Sequence, residues 1–129
     1  MIGGVRSVSL YVGDQDRAKA FWTETVGFEL LGDTPMGDGD GVPRWIEVAP
    51  PDRQVIVVLF TAPDDEQLRR IGTFSNVVFT CDDVQQTHKE LVARGVEFTE
   101  EPRIEFWGGW WSVFKDPDGN IYGLGQREA

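Results

Sequence analysis

The feature that most constrains this chain is a repeat within it. Residues 5 to 12 read as a strand, within which Ser7 to Val12 alternates, with Val8, Leu10 and Val12 toward one side and Ser7, Ser9 and Tyr11 toward the other, the period of a half-buried strand. Asn76 to Cys81 alternates in the same way 69 residues later, and Asp14 and Asp83, each placed to cap a following helix, are also 69 apart. Pro51-Asp52 is echoed by Pro117-Asp118, 66 residues on. A chain that restarts in this manner is described most economically as two copies of one unit.

The first copy is expected to run strand, helix and three strands. After Asp14, the residues Ala18, Phe21, Trp22 and Val26 recur at helical spacing up to Gly27, predicting a helix from about Gln15 to Val26. A second strand begins at Phe28 to Leu31 and dissolves into a loop from Thr34 to Gly41, and Arg44 to Ala49 and Gln54 to Thr61 give two more. Within that loop Asp38-Gly39-Asp40-Gly41 superficially suggests a calcium site, but the closing position is Ala49, not Glu. Pro63 to Gly72 reads as a polar connector with room for a helical turn.

In the second copy, Asp82 or Asp83 caps a helix carrying Val84, Leu91 and Val92 on one stripe, Gly95 ends it, and a strand follows at Val96 to Thr99. The run from Trp107 to Gln126 is then a β-hairpin, with aromatic and β-branched residues on both sides of Asp116-Pro117-Asp118-Gly119-Asn120. The expected organisation is a single α+β domain over 1–129, with one βαβββ module at 5–61, a connector at 62–73 and a second module at 74–126. Each helix covers the oily face of its own sheet and leaves the other face without cover. Two such modules predict a curved, mostly antiparallel eight-stranded sheet around a concave pocket, helices outside.

Charge narrows the partners. The formal net charge is −10 with no visible basic patch, which argues against nucleic acid and anionic membranes and would attract a cationic small ligand. The longest apolar run, Val55 to Phe60, is too short to span a bilayer, and the N-terminus lacks an apolar signal region, so a cytoplasmic protein is expected. A single cysteine, Cys81, excludes an internal disulfide and Cys-rich metal clusters.

Ser-Val-Ser-Leu-Tyr-Val-Gly-Asp at 7–14, Phe-Trp-Thr-Glu-Thr-Val-Gly-Phe at 21–28, Asp-Asp-Val at 82–84, Arg-Gly-Val at 94–96 and Phe-Lys-Asp-Pro-Asp-Gly-Asn at 114–120 resemble the vicinal oxygen chelate superfamily. That superfamily includes glyoxalase I, extradiol dioxygenases and bleomycin resistance proteins. The resemblance covers nearly the whole chain and implies the βαβββ repeat and pairing as a homodimer. In metal-dependent members each half supplies ligands from its first and last strands. The resemblance places those positions on Ser7 and on Val57 or Val58 in the first half, and on Asn76 and Gly123 in the second. Valine and glycine offer no donor, and a neutral hydroxyl or amide is poor beside imidazole and carboxylate, so no metal and no other cofactor is expected.

The only histidine, His88, lies mid-helix without companions, and Cys81 alternates with Val77 and Phe79 toward the helix, so neither reads as catalytic. The pocket-facing set is Ser7, Ser9, Tyr11, Val58, Phe60, Asn76, Val78 and Gly123, with Trp107, Trp110 and Trp111 near the rim and Trp45 and Glu47 as further candidates. Trp110 and Trp111 are adjacent in a strand, so only one of them faces the pocket. Three functions are consistent with this pattern: a metal-free binder of a flat aromatic or cationic ligand resembling the antibiotic resistance proteins, a glyoxalase-type enzyme, and a diverged dimeric scaffold. Loss of every expected metal ligand favours the first.

Overall fold

A computed structural model describes residues 1–127; Glu128 and Ala129, the end of the expected domain, lie outside the described residues. The chain divides after Ile71 into two compact units. Each contains one four-stranded sheet, and the two sheets have the same strand order, as the repeat requires.

The first unit runs β1 (Ser7–Val12), α1 (Gln15–Ala20), β2 (Glu29–Pro35), β3 (Arg44–Ala49), β4 (Ile56–Thr61) and a short α2 (Asp65–Leu68). Its sheet order is β1-β4-β3-β2, with β4 returning parallel to β1 and the other pairs antiparallel. Asp14 caps α1 by accepting from the Arg17 backbone N–H at 3.0 Å, and Gly27 ends the helical segment with φ 92°. The expected single helix is instead two pieces: α1 gives way to one wide π-type segment at Phe21–Thr25, closed by Val26 N–H donating to the Phe21 carbonyl.

Leu10, Val12, Ile46, Val48, Val57 and Leu59 form the helix-side face of the sheet, and Ala18, Phe21 and Trp22 come down on them; all are buried. Removing apolar groups of this size from water contributes roughly 1.5–3 kcal/mol for each large side chain. Gln15 fixes how the helix sits. Its amide nitrogen donates to the Leu59 carbonyl (2.9 Å) and the Arg44 carbonyl (2.6 Å), while its oxygen accepts from Arg44 N–H (3.0 Å). Asp33 on β2 adds ion pairs to Lys19 and Arg44, each at 2.9 Å.

The second unit runs β5 (Phe74–Cys81), α3 (Val84–Ala93), β6 (Glu97–Ile104), β7 (Trp110–Lys115) and β8 (Ile121–Gln126), ordered β5-β8-β7-β6 with β5 and β8 parallel. Asp83 caps α3 as Asp14 caps α1, accepting from Gln86 N–H at 3.0 Å. Val84 and Leu91 are buried, but Val92, expected on the same stripe, is 48% exposed. In an α-helix Val92 lies a further 100° or so around the axis from Leu91, which carries it off the sheet. An aromatic cluster of Phe79, Phe98, Phe114 and Tyr122, with neighbouring centroids 5.3–6.2 Å apart, fills the helix side.

The turn between β7 and β8 is built around one carboxylate. Asp116 Oδ1 accepts from the backbone N–H groups of Asp118 and Asn120, both at 2.9 Å; Oδ2 accepts from Asn120 Nδ2 (3.0 Å) and the Tyr122 hydroxyl (2.7 Å). Burial pushes the Asp116 carboxyl above its ordinary range, with those bonds pulling the other way. Asn120 Oδ1 in turn accepts from Gly72 N–H at 2.8 Å and ties the start of the unit to its turn.

Candidate functional site

Each sheet is covered by its helix on one face only, and the other face carries the candidate residues. In the first unit, strand register pairs Ser9 with Val58 and Val58 with Glu47, and pairs Tyr11 with Phe60. Ser7, Ser9, Tyr11, Trp45, Glu47, Val58 and Phe60 therefore share the face opposite α1. Val58 is fully buried, Ser7, Tyr11, Glu47 and Phe60 are partly covered, and Ser9 and Trp45 are exposed. Trp45 meets Phe60 edge-on, centroids 5.7 Å apart. The Trp45 indole N–H donates to Glu47 Oε2 at 3.1 Å, and Arg6 Nη2 donates to the same oxygen at 3.0 Å. These two bonds, the indole's first, hold the Glu47 carboxyl below its usual range and so keep it ionised.

In the second unit, Val78 pairs with Gly123, Gly123 with Val113, and Trp111 with Gly125, so Val78, Thr80, Trp111, Val113, Gly123 and Gly125 share the face opposite α3. Asn76 lies in an irregular stretch of β5 between Phe74 and Val78, exposed, with φ 63°. Such a left-handed backbone is one that asparagine tolerates better than most residues. The Trp111 indole lies across Gly123. A Cβ built at Gly123 would stand 2.9 Å from Cζ2, 3.0 Å from Cζ3 and closer still to Cη2, so only glycine leaves the ring that position. Trp107 stands edge-on to Trp111 at 6.0 Å, and Phe106 edge-on to Trp107 at 5.0 Å. Trp110 shares its parity with Ser112 and Phe114 and is on the helix side, so of the adjacent pair it is Trp111 that faces away from α3.

Register also decides between Val57 and Val58. Val58 pairs with Ser9 as Gly123 pairs with Val78, two residues beyond Ser7 and Asn76 respectively, whereas Val57 pairs with Val8 on the helix side. The positions matching the metalloenzyme pattern are thus Ser7, Val58, Asn76 and Gly123. These residues do not fit a transition metal. Val58 is apolar and fully buried, and the space a longer side chain at Gly123 would need is filled by the Trp111 ring. Among the described residues no three His, Cys, Asp or Glu side chains gather to hold an ion.

His88 packs edge-on against Phe98, centroids 4.6 Å apart, between α3 and β6. Cys81 points toward α3, its thiol 3.7 Å from the Gly125 carbonyl, and burial pushes that thiol up, away from thiolate reactivity. Arg6 was not singled out in the sequence. It falls inside the strand expected at 5–12, but β1 begins only at Ser7, and only the fold brings Arg6 to Glu47 across 41 residues.

Comparison with known proteins agrees with this architecture. The family model described as the Glyoxalase/Bleomycin resistance protein/Dioxygenase superfamily matches residues 4–122, and the chain belongs to that superfamily. Protein YetH of Bacillus subtilis (strain 168) is 38% identical over 125 residues, covering 95% of this chain and 97% of its own. A superfamily member from Sphaerobacter thermophilus DSM 20745 has a TM-score of 0.87 at 32% identity, covering 98% of both chains. TnmS3, an antibiotic binding protein from Streptomyces sp. CB03234, has a TM-score of 0.78 at 35% identity, again over 98% of both chains.

Proposed function

We propose that this chain is a metal-free small-molecule binder that takes a flat aromatic ligand against the helix-free, aromatic face of a sheet. The observation that carries the reading is the Trp111 indole lying over Gly123. Where a metalloenzyme of this pattern would place a carboxylate, this chain places a stacking surface. In the first unit Trp45 with Phe60 offers ring faces and edges for a planar ligand, with the hydroxyls of Ser7, Ser9 and Tyr11 on the same face to orient it; in the second unit Trp107 with Trp111 offers the same, with the Asn76 amide. The similarity to TnmS3 supports the same reading.

The proposal includes a homodimer, supported by the edge strands that each sheet leaves at β1 and β2 or β5 and β6 and by exposed Ile104, Phe106 and Trp107. It also includes a cytoplasmic location; among the described residues no helix is long and apolar enough to cross a membrane. The test is a tryptophan-fluorescence titration of chelator-treated protein with a panel of planar aromatics. Saturable binding that Trp111→Ala weakens about tenfold or more is expected, since stacking of this kind is worth roughly 1–3 kcal/mol. Catalytic turnover of a thiohemiacetal or catechol substrate on adding Zn, Ni or Fe would return the chain to the enzyme reading.

A further inference from the structure

We propose that Glu47 is the counter-ion for a positive charge on the ligand, and that Arg6 occupies its place until the ligand arrives. The inference rests on the binder reading above and specifies which charge the ligand carries. Glu47 lies on the helix-free face of the first unit, set between Gly32 on β2 and Val58 on β4; Glu29, which pairs with Ala49 on the same face, is more than half exposed and already paired with Arg53. Its side chain is only 17% exposed, so it has already lost most of its water. Burying a carboxylate to this extent is costly unless something meets its charge.

Three features make the group suited to an incoming cation. Among the described residues both of its hydrogen bonds fall on Oε2, from the Trp45 indole and from Arg6, which leaves the acceptor capacity of Oε1 for a ligand. The indole bond orients the carboxylate beside the Trp45–Phe60 pair, so a ring seated on those aromatics would bring a substituent cation to the carboxylate while its π-face is covered. The resident partner already shows which chemistry fits, because it is a guanidinium.

Arg6 is also a weak holder of the place. Its side chain is 64% exposed, it belongs to no strand or helix, and exposed pairs of this kind contribute roughly 0–1 kcal/mol. Its backbone stays anchored when the side chain swings away, since the Arg6 carbonyl accepts from Ile56 N–H at 2.9 Å. Exchange of Arg6 for a ligand cation therefore leaves β1 in register with β4. A net charge of −10 adds a long-range field of the right sign.

The test uses two probes of nearly equal shape, N-methylacridinium, a permanent cation, and acridine, neutral at mildly alkaline pH. Each is titrated into the full chain, Glu47→Gln and Arg6→Gln, followed by tryptophan fluorescence. Glu47→Gln keeps an acceptor for the Trp45 indole and removes the charge, and the ratio of the two affinities within each variant cancels any loss of folded protein. Glu47→Gln should weaken the cation about tenfold and leave acridine unchanged, while Arg6→Gln should tighten the cation by up to about fivefold. A cation-to-neutral ratio that Glu47→Gln does not alter would overturn the counter-ion role with the binder reading intact. An Arg6→Gln ratio equal to that of the unaltered chain would overturn the exchange. Failure of both probes to bind the unaltered chain would remove the binder reading and this inference with it.

Discussion

Replacing Gly123 by alanine tests the packing on which the functional reading stands. The added Cβ would lie 2.9 and 3.0 Å from Cζ2 and Cζ3 of Trp111 and nearer to Cη2, well inside ordinary carbon contact distance. The backbone itself accepts alanine, because Gly123 is not among the glycines with positive φ. The whole cost therefore arises at the ring. Either the indole tilts off β8 and loses its edge contact with Trp107, or the strand shifts. Overpacking of this size costs about 1–3 kcal/mol, a fall of roughly 1 M in the urea midpoint for a chain of this length.

A double-mutant cycle isolates the cause. With Trp111→Ala in place the three atoms nearest the added Cβ are gone, so the penalty should vanish or reverse by about 0.4–1 kcal/mol through the reduced freedom of the unfolded chain. Urea unfolding followed by far-UV circular dichroism, with tryptophan emission recorded in parallel, reads both quantities. A Gly123→Ala penalty of the same size in both backgrounds, or unchanged stability and emission in the single variant, would refute the ring-over-glycine arrangement.

Other consequences can be checked with the same assays. Asp14→Ala and Asp83→Ala each remove the side-chain acceptor at a helix start and should each lower stability by about 1 kcal/mol, similar in size because the caps are repeats of one another. Asp116→Asn puts an amide N–H against the Asn120 amide and the Tyr122 hydroxyl and should cost about 1–3 kcal/mol in thermal unfolding, whereas Asp118→Asn should cost less. The Arg44 guanidinium, with Lys19, holds the Asp33 carboxyl below its ordinary range. A carboxyl that binds its proton more weakly when folded contributes stability that is complete above the unfolded pKa and is lost as pH falls through the lower folded one. Asp33→Asn should therefore flatten the acid limb of a stability-against-pH curve, and an unchanged limb would contradict the assignment.

Much of the fold was readable because local signals agreed with one another. The alternation of 7–12 and 76–81, the caps Asp14 and Asp83 and the Asp116 turn each specify a piece of backbone independently of distant contacts, and all are found. What failed lies where pairing partners decide. β2 extends to Pro35 and β6 runs from Glu97 to Ile104, past Pro102, because each pairs with a neighbour on one side only and as an edge strand tolerates proline. Alternation could not choose between Trp110 and Trp111, since the register of β6 against β7 shifts twice and breaks any count made from the preceding strand. The Val57 or Val58 ambiguity had the same root and yields only to the pairing with Ser9. Gln15, a polar residue buried at a helix start, and the meeting of Arg6 with Glu47 leave no periodic trace at all.

The central claim is that this member of the superfamily binds an aromatic ligand without a metal. A calorimetric titration of N-methylacridinium into untagged protein, run after exhaustive chelator dialysis and again with stoichiometric zinc restored, tests it most directly. The same saturable affinity is expected in both runs. Binding that appears only with the metal, or no saturable binding in either run, would contradict it.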